Sequence, residues 1–414
     1  MKKALLLALL FCAQISLAQE EIKTMFYNLL EYPNALPENR DELLRSLIDE
    51  YDPDIFMVCE LQSAAGANLI LSSSLNFTEV EYAKATFIDN TSGSSDLQQL
   101  IYYKTSKFSL ISSEIIPTTV RDINRYVLRL NTVDQDTNPV DLDIYVTHLK
   151  SSQGSSNVTT RFNMVKEFTD TFPDLDPNSY VIFAGDLNLY TGTEPAYVEL
   201  TASTNEIVLK DPINRNGSWH VNSSFQDIHT QSTRTSSAPF GGAGAGGGMD
   251  DRFDFILISE NMLTNPQMKY VSGTYMAYGN NGNCFNKSIN DSDCNGDDFD
   301  SEIRNILYNI SDHLPVVMSF ETNEEFLNGT DFVALDAISF PSGNMVTNML
   351  QVQINNGMSF NADFEIYNII GQKLITVPNQ TNSLYQIDVS KLSSGIYLLL
   401  PKGIGSNPLK FIKK

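Results

Sequence analysis

The sequence predicts a layered domain of strands and helices, α/β or α+β, followed by a small all-β domain. Three observations carry this. Short apolar runs of strand character alternate with helical periods through most of the chain. Short strands separated by Gly-containing turns fill the remainder. The charge changes sign between the two parts. Asp336 to Lys414 holds six lysines and four acids, net +2, whereas residues 19–335 hold 19 basic and 46 acidic residues, net −27.

In chain order, Lys2 and Lys3 precede the apolar run Ala4 to Cys12 and a small-residue exit at Ser16-Leu17-Ala18. This is the pattern of a secretory signal over residues 1–18, too short to span a bilayer comfortably. Strands are expected at Ile22–Tyr27, Ile55–Cys59, Gln99–Tyr103, Val140–Thr147, Tyr180–Ala184, Phe253–Ile258 and Val316–Phe320. A helix fits Asp41–Tyr51, with Leu43, Leu44, Leu47 and Ile48 on one face, and Pro53 ends it. A second fits Thr159–Phe172, with Phe162, Val165 and Phe168 inward. The run Gly241–Gly248 reads as a flexible, solvated excursion, or else a mobile lid. Residues 19–322 then form the larger domain, 323–335 a polar linker and 336–414 the smaller domain.

A chain of 414 residues, 42% hydrophobic and 19% charged, can bury a full core, which excludes wholesale disorder. Its net charge of −23 argues against a long basic groove for nucleic acid. A divalent cation at a site would lift that restriction locally. No Walker loop and no G-x-S-x-G motif is present.

Several apolar runs end in a polar group that a core would not accept: Asn28, Glu60, His148, Asp186-Leu187-Asn188, Asp254 and Asp312-His313. Each alone is readable as a cap or turn. Together they are a carboxylate set with two of only four histidines. Carboxylates that leave room for water and phosphate suit Mg²⁺. A His–Asp pair fixes a tautomer and stabilises an imidazolium. An Asp-x-Asn turn can orient a water, so the set suits in-line hydrolysis of a phosphate ester.

The pieces Phe26-Tyr-Asn28, Val58-Cys-Glu60, Thr147-His-Leu149, Gly185-Asp-Leu-Asn188, Arg252-Phe-Asp254 and Ser311-Asp-His-Leu-Pro315 occur in one order across Ile22 to Phe320. In this the chain resembles the endonuclease/exonuclease/phosphatase superfamily, the DNase I-like fold. The resemblance implies a four-layer α/β sandwich with two packed mixed sheets and helices outside. It implies Glu60 as principal metal ligand, with Asn28 and Asp312 completing the metal site. His313 is then the general base or phosphate-polarising histidine, oriented by Asp254. Asp186 and Asn188 position the attacking water and the phosphate, and His148 stands near the leaving group or a non-bridging oxygen. Arg125 sits where relatives place a phosphate-contacting arginine. Relatives pair the second histidine with a glutamate; here Asp96 is the available carboxylate. His220 and His229 read as structural or rim residues, and Asp227 and Arg234 as pocket-shaping ones.

Asp291, Asp293, Asn295, Asp297 and Glu302, with Gly296, match the spacing of a calcium loop, or form a solvated acidic loop. Cys284 and Cys294 flank its start and are expected to form a disulfide in an exported protein. Cys59 reads as a packed free thiol.

Strands at Leu350–Ile354, Asp363–Ile369, Tyr385–Val389, Ile396–Leu400 and Leu409–Ile412 make the tail a small all-β sandwich domain. Phe364–Lys373, Ile387–Tyr397 and the terminal Phe411-Ile-Lys-Lys414 resemble the C-terminal sorting domain of the Bacteroidetes type IX secretion pathway. That resemblance implies passage through periplasm and outer membrane, with the secretion machinery as partner. The expectation is a secreted or surface-held monomer without stable membrane insertion. The expected activity is that of a phosphodiesterase using Mg²⁺ or Mn²⁺ and acting on nucleic acid, with Ca²⁺ as the ion if the acidic loop binds one. The alternatives are a phosphomonoesterase, a sphingomyelinase-like lipid enzyme with Tyr275–Tyr278 as its apolar loop, and a non-catalytic binding module.

Overall fold

The computed structural model describes residues 20–327, 338–354, 363–368, 372–378, 384–401 and 409–414. The expected signal, residues 1–18, and linker residues 328–335 lie outside the described residues.

Strand β1 (Glu20–Tyr32) leads through α1 (Arg40–Tyr51) to β2 (Ile55–Leu61), which pairs with β1 in parallel. The helix stops where predicted: Asp52 turns into the left-handed region at φ +56° and its N–H bonds the Ile48 carbonyl. After α2 (Ala64–Leu69) come β3 (Tyr82–Lys84) and β4 (Gln98–Lys104). The first sheet has the order β11-β13-β1-β2-β4-β3, where β11 is Lys269–Tyr270 and β13 is Val316–Thr322; β12 (Met276–Ala277) also pairs with β13.

The second sheet has the order β5-β6-β7-β8-β10-β9. Its strands are β5 (Phe108–Ile116), β6 (Ile123–Leu130), β7 (Asp141–His148), β8 (Tyr180–Asp186), β9 (Leu209–Lys210) and β10 (Asp254–Ser259). Between them lie α3 (Ser155–Thr169) and α4 (Pro195–Leu200), and α5 (Ser301–Ile310) precedes β13.

Strand alternation assigns the faces. Ile144 and Val146 of β7, Ile182 and Ala184 of β8, and Ile256 and Ile258 of β10 point into the large core shared with the first sheet. Tyr145, Val181, Phe183, Phe255 and Leu257 point the other way, against Met164, Val165 and Phe168 of α3 and Leu200 of α4. Leu44, Leu47 and Ile48 of α1, with Ile303, Leu307 and Ile310 of α5, cover the first sheet. The result is helix, sheet, sheet, helix: the four-layer α/β sandwich. Each fully buried aliphatic or aromatic side chain contributes roughly 1.5–3 kcal/mol to holding these layers.

Two local expectations change, and one hairpin is added that the sequence pattern did not mark. Phe162 is only half-buried, because the inward position beside it is taken by Arg161, whose guanidinium is neutralised by Glu194 at 2.8 Å. The β5–β6 hairpin has no clear apolar run. β5 lies at the sheet edge, and β6 interleaves Arg125 and Arg129, which pair with Asp143 and Asp141 of β7. Helix α5 starts within the predicted calcium loop, capped by Asp300, whose Oδ1 accepts from the Glu302 and Ile303 N–H groups.

The tail forms two β-sheets. One has the order β14-β16-β19, the other β15-β21-β20-β17-β18. These are β14 (Ile338–Ser339), β15 (Met345–Val346), β16 (Met349–Ile354), β17 (Phe364–Asn368), β18 (Lys373–Val377), β19 (Leu384–Asp388), β20 (Gly395–Pro401) and β21 (Leu409–Lys413). Leu350, Val352, Tyr385 and Ile387 of one sheet share a core with Phe364, Ile366, Leu399 and Phe411 of the other, which makes it an all-β sandwich.

Candidate metal centre and active site

Register alone assembles half of the site. His148 is the parallel partner of Asp186, and Asp254 its antiparallel partner, on the adjacent strands β7, β8 and β10. All three share the parity of the residues facing the inter-sheet core, so they emerge side by side at its edge. Two acids directly opposite each other disfavour pairing, so the sheet is not what this arrangement stabilises. Gly185 permits it: a Cβ there would lie 2.4 Å from the Thr147 carbonyl oxygen of β7.

The first sheet closes the site from across the core. The Asn28 amide donates to Glu60 Oε1 and Asp186 Oδ2, both at 3.0 Å, joining the two sheets. Glu60 sits at φ +63° and Asn188 at φ +50°, in the left-handed region. For a glutamate at a strand end that is unusual, and such outliers gather at functional sites. Ser311 donates to the Asn28 carbonyl at 2.7 Å and accepts from the His313 N–H at 3.1 Å, which locks the last motif onto β1.

The cluster is buried and acidic. The carboxylates are Glu60, Asp186, Asp254 and Asp312. One oxygen or nitrogen each of Glu60, His148 and Asp186 lies within 4.8 Å of the others, as do those of Asp186, Asp254 and His313. Burial, and then Asp312, push the Glu60 carboxyl up. Burial, with Asp254 and Glu60 nearby, pushes Asp186 up to about 8. Burial, then Arg121, drives His148 well below its ordinary value, so it is neutral. Burial would lower His313 as well, but Asp254, Asp312 and Asp186 hold it well above its ordinary value. The hydrogen bonds point the other way. Asp254 Oδ2 is 2.7 Å from Nδ1, and the Gln231 amide nitrogen is 2.6 Å from Nε2 and 3.0 Å from Asp312 Oδ2. One amide hydrogen for each acceptor requires a lone pair on Nε2, hence a neutral ring. The geometry is therefore that of a site whose acids could be compensated by a further positive charge. Buried oxygens Asp254 Oδ1 and Asp312 Oδ1 have no hydrogen-bond partner. Unsatisfied buried carboxylate oxygens in excess of cations fit a divalent metal.

Asp312 is held from a side that the sequence did not disclose. Its Oδ2 accepts from the Ala245 N–H at 2.7 Å, and Ser232 donates to the Ala245 carbonyl at 3.0 Å. The Gly241–Gly248 run is thus exposed along most of its length but lies against the site through Ala245. Gly244 adopts φ +78°, and a Cβ there would come 2.8 Å from Asp312 Cγ. Gly244→Ala is expected to displace Asp312 and lower kcat at least about tenfold, with a stability cost of roughly 1–2 kcal/mol. An unchanged kcat in a folded variant would remove the loop from the site's construction.

Some expected residues are elsewhere. Arg125 belongs to the face of β6 opposite the core, where it bonds Asp143 and Glu114. The arginine near His148 is Arg121, which donates to the His148 and Leu149 carbonyls at 3.1 Å. Asp96 is exposed, and His148 Nδ1 has no hydrogen-bond partner, so that pairing is not made. His229 is buried against the Trp219 carbonyl at 2.8 Å, a structural role. Arg234 lies over the Phe240 ring and bonds the Tyr308 carbonyl, buttressing the glycine-rich loop. Asp227 is exposed and paired with Arg215.

The acidic loop does not gather its donors for calcium. Asp293 is bound by Lys287 at 2.6 Å, and Asp291 caps the following turn. Asp297 is exposed, and Glu302 lies in the first turn of α5. The Ile289 and Asp291 carbonyls and the Asn295 side chain accept from the buried Arg304 guanidinium. An internal arginine stands where the spacing suggested a cation. Cys284 and Cys294 are joined in a disulfide beside it, and Cys59 is a buried free thiol.

Residues 343–413 match the family model of the secretion system C-terminal sorting domain. The tail is a sorting domain. It marks the chain for export by the type IX route to the cell surface or the extracellular space. No described helix is long and apolar enough to cross a membrane. No curated protein matches the chain. Solved structures similar to it include D. rerio TDP2 complexed with a single-strand DNA product (17% identity, 73% of this chain and 99% of that one, TM-score 0.46). An endonuclease/exonuclease/phosphatase from Bacteroides vulgatus has 15% identity, 73% and 100% coverage and TM-score 0.46. The human Nocturnin catalytic domain with a bound sulfate anion has 16% identity, 73% and 97% coverage and TM-score 0.42. These are likenesses in the course of the chain; the chemistry is read from the side chains.

Proposed function

We propose that the exported chain is a divalent-metal-dependent phosphodiesterase, and within that class a nuclease. The observation that carries the reading is the buried set Glu60, Asp186, Asp254 and Asp312 with His148 and His313, short of positive charge and with open carboxylate oxygens.

Glu60, with Asn28 and Asp312, would hold Mg²⁺ or Mn²⁺, which supplies Lewis-acid stabilisation of the phosphate charge. His313, kept in one tautomer by Asp254, takes the proton of the attacking water at Nε2 when the water replaces the Gln231 amide on that lone pair, and Asp254 stabilises the imidazolium that results. Asp186 orients that water and is itself steadied by the Asn188 N–H on Oδ1 at 3.0 Å. The Asn188 amide, 3.3 Å from the Leu149 carbonyl, stands at the same edge for a phosphate oxygen. Neutral His148 offers an N–H to a non-bridging oxygen. Two sheets hold these groups, so the geometry is set before substrate arrives.

The lipid reading has less support in its candidate loop. Tyr275 and Tyr278 are buried, bonded to Arg252 and Glu50, and Met276 is the one exposed apolar side chain between them. The test is turnover of plasmid DNA, RNA, bis-p-nitrophenyl phosphate, p-nitrophenyl phosphate and sphingomyelin, each with Mg²⁺, Mn²⁺, Ca²⁺ or EDTA. Metal-dependent cleavage of polymer and diester is expected. Activity confined to the monoester or to sphingomyelin would replace this reading, and metal binding without any turnover would leave a binding role.

A further inference from the structure

A second His–Asp pair stands at the same edge. His220 Nδ1 lies 2.5 Å from Asp251 Oδ1, and its Nε2 lies 2.9 Å from the Gln153 amide nitrogen. The construction repeats that of His313, which has Asp254 on Nδ1 and the Gln231 amide on Nε2. The two pairs flank one residue: the Gln231 backbone bridges to both Asp251 and His313.

Each neighbour of His220 comes from a loop that leaves a site strand. Gln153 follows β7 and His148. Tyr190, whose ring meets that of His220 edge-on at 4.9 Å, lies two residues beyond Asn188. Asp251 lies three residues before Asp254. The His220 side chain is 33% exposed, so it faces outward from these loops. Val221 beside it sits at φ +47° and is exposed. A β-branched residue in that region is strained, and a turn that needed only to connect Trp219 to Asn222 would not require it.

We infer that His220, oriented by Asp251, is a positioning residue that holds the Gln153 amide where it receives a second phosphate of the substrate, beside the scissile one. The ring gives Nδ1–H to Asp251 and accepts the Gln153 amide at Nε2, which leaves the second N–H of that amide for a phosphate oxygen. Lys150, whose Nζ donates to the Ser151 carbonyl, is a cation on the same loop as Gln153. A region of net −27 must place such groups locally to hold a polyanion.

The inference rests on the phosphodiesterase reading, and the experiment separates the two. The full chain and its His220→Ala and His220→Gln variants are assayed with Mg²⁺ on bis-p-nitrophenyl phosphate, a single-stranded oligodeoxynucleotide and a dinucleoside pyrophosphate. His220→Ala should raise KM about ten- to hundredfold for a substrate with a second phosphate and leave kcat and the one-phosphate diester unchanged. His220→Gln, which keeps an acceptor for the Gln153 amide, should recover part of the loss. The KM effect on the oligonucleotide alone assigns the second phosphate to a polynucleotide; on the pyrophosphate alone, to a nucleotide polyphosphate. Unchanged KM on both overturns the inference, and so does an equal loss on all three substrates. A parent chain inactive on all three overturns the phosphodiesterase reading itself.

Discussion

His313→Ala is expected to lower kcat on bis-p-nitrophenyl phosphate by about 10²–10⁴-fold, the usual worth of a positioned general base. At about 1.4 kcal/mol per factor of ten, that is roughly 3–6 kcal/mol of transition-state stabilisation. His313 is the basic group in contact with Asp254, and its Nε2 faces Asp186 at 3.7 Å, where the water would stand. Removing it also leaves Asp254 without its partner in a buried site, so stability falls too. His313→Asn separates the effects, since its amide can still donate to Asp254 while offering no base. Kinetics of both variants, alongside melting curves, decide the matter. A kcat within about threefold of the parent for a folded His313→Asn would sink the assignment.

Metal affinity is expected to rise steeply with pH between about 5 and 8. The sign follows from Asp186. Its folded-state value is pushed up to about 8 by burial and by Asp254 and Glu60, well above the unfolded carboxylate range, and Glu60 is shifted the same way. Without metal, the folded chain binds more protons than the unfolded chain in that window. Stability from these groups is full below pH ~4 and is lost as pH rises through about 8. A cation must displace those protons, so each proton released strengthens binding up to about tenfold per pH unit. Titration calorimetry with Mn²⁺ at several pH values, in buffers of differing ionisation enthalpy, would count the protons. The melting temperature should fall with pH in EDTA and recover with metal. Affinity independent of pH, with no proton release, would remove the acid cluster as the metal's ligand set.

The parts of the fold that the sequence disclosed are those where one physical requirement dominates locally. The runs Ile55–Cys59 and Tyr180–Ala184 are buried on both faces, so they are apolar throughout and read as strands. Leu44, Leu47 and Ile48 mark α1 for the same reason. Their polar endings were legible because a core excludes them: Glu60, His148, Asp186 and Asp254 stand out against apolar neighbours. β5 and β6 were hidden, since an edge strand alternates weakly and its neighbour's arginines are neutralised by acids on another strand.

Local pattern thus set element type, the polar strand ends and the export tail, because periodicity and charge are properties of neighbouring residues. Contacts between distant segments set the rest. Arg125 and Arg121 are equally cationic in sequence, but strand parity turns the first away while Arg121 bonds the backbone at His148. The acidic loop has calcium spacing, yet Arg304 and Lys287 occupy its donors. The glycine-rich run read as a flexible loop, solvated or a lid, and only its backbone contact with Asp312, 67 positions away, places it beside the site. Gln231 and the His220–Asp251 pair carry no periodic signal. Their roles arise from which loops leave the sheets at one edge, and that is decided by how the two sheets pack.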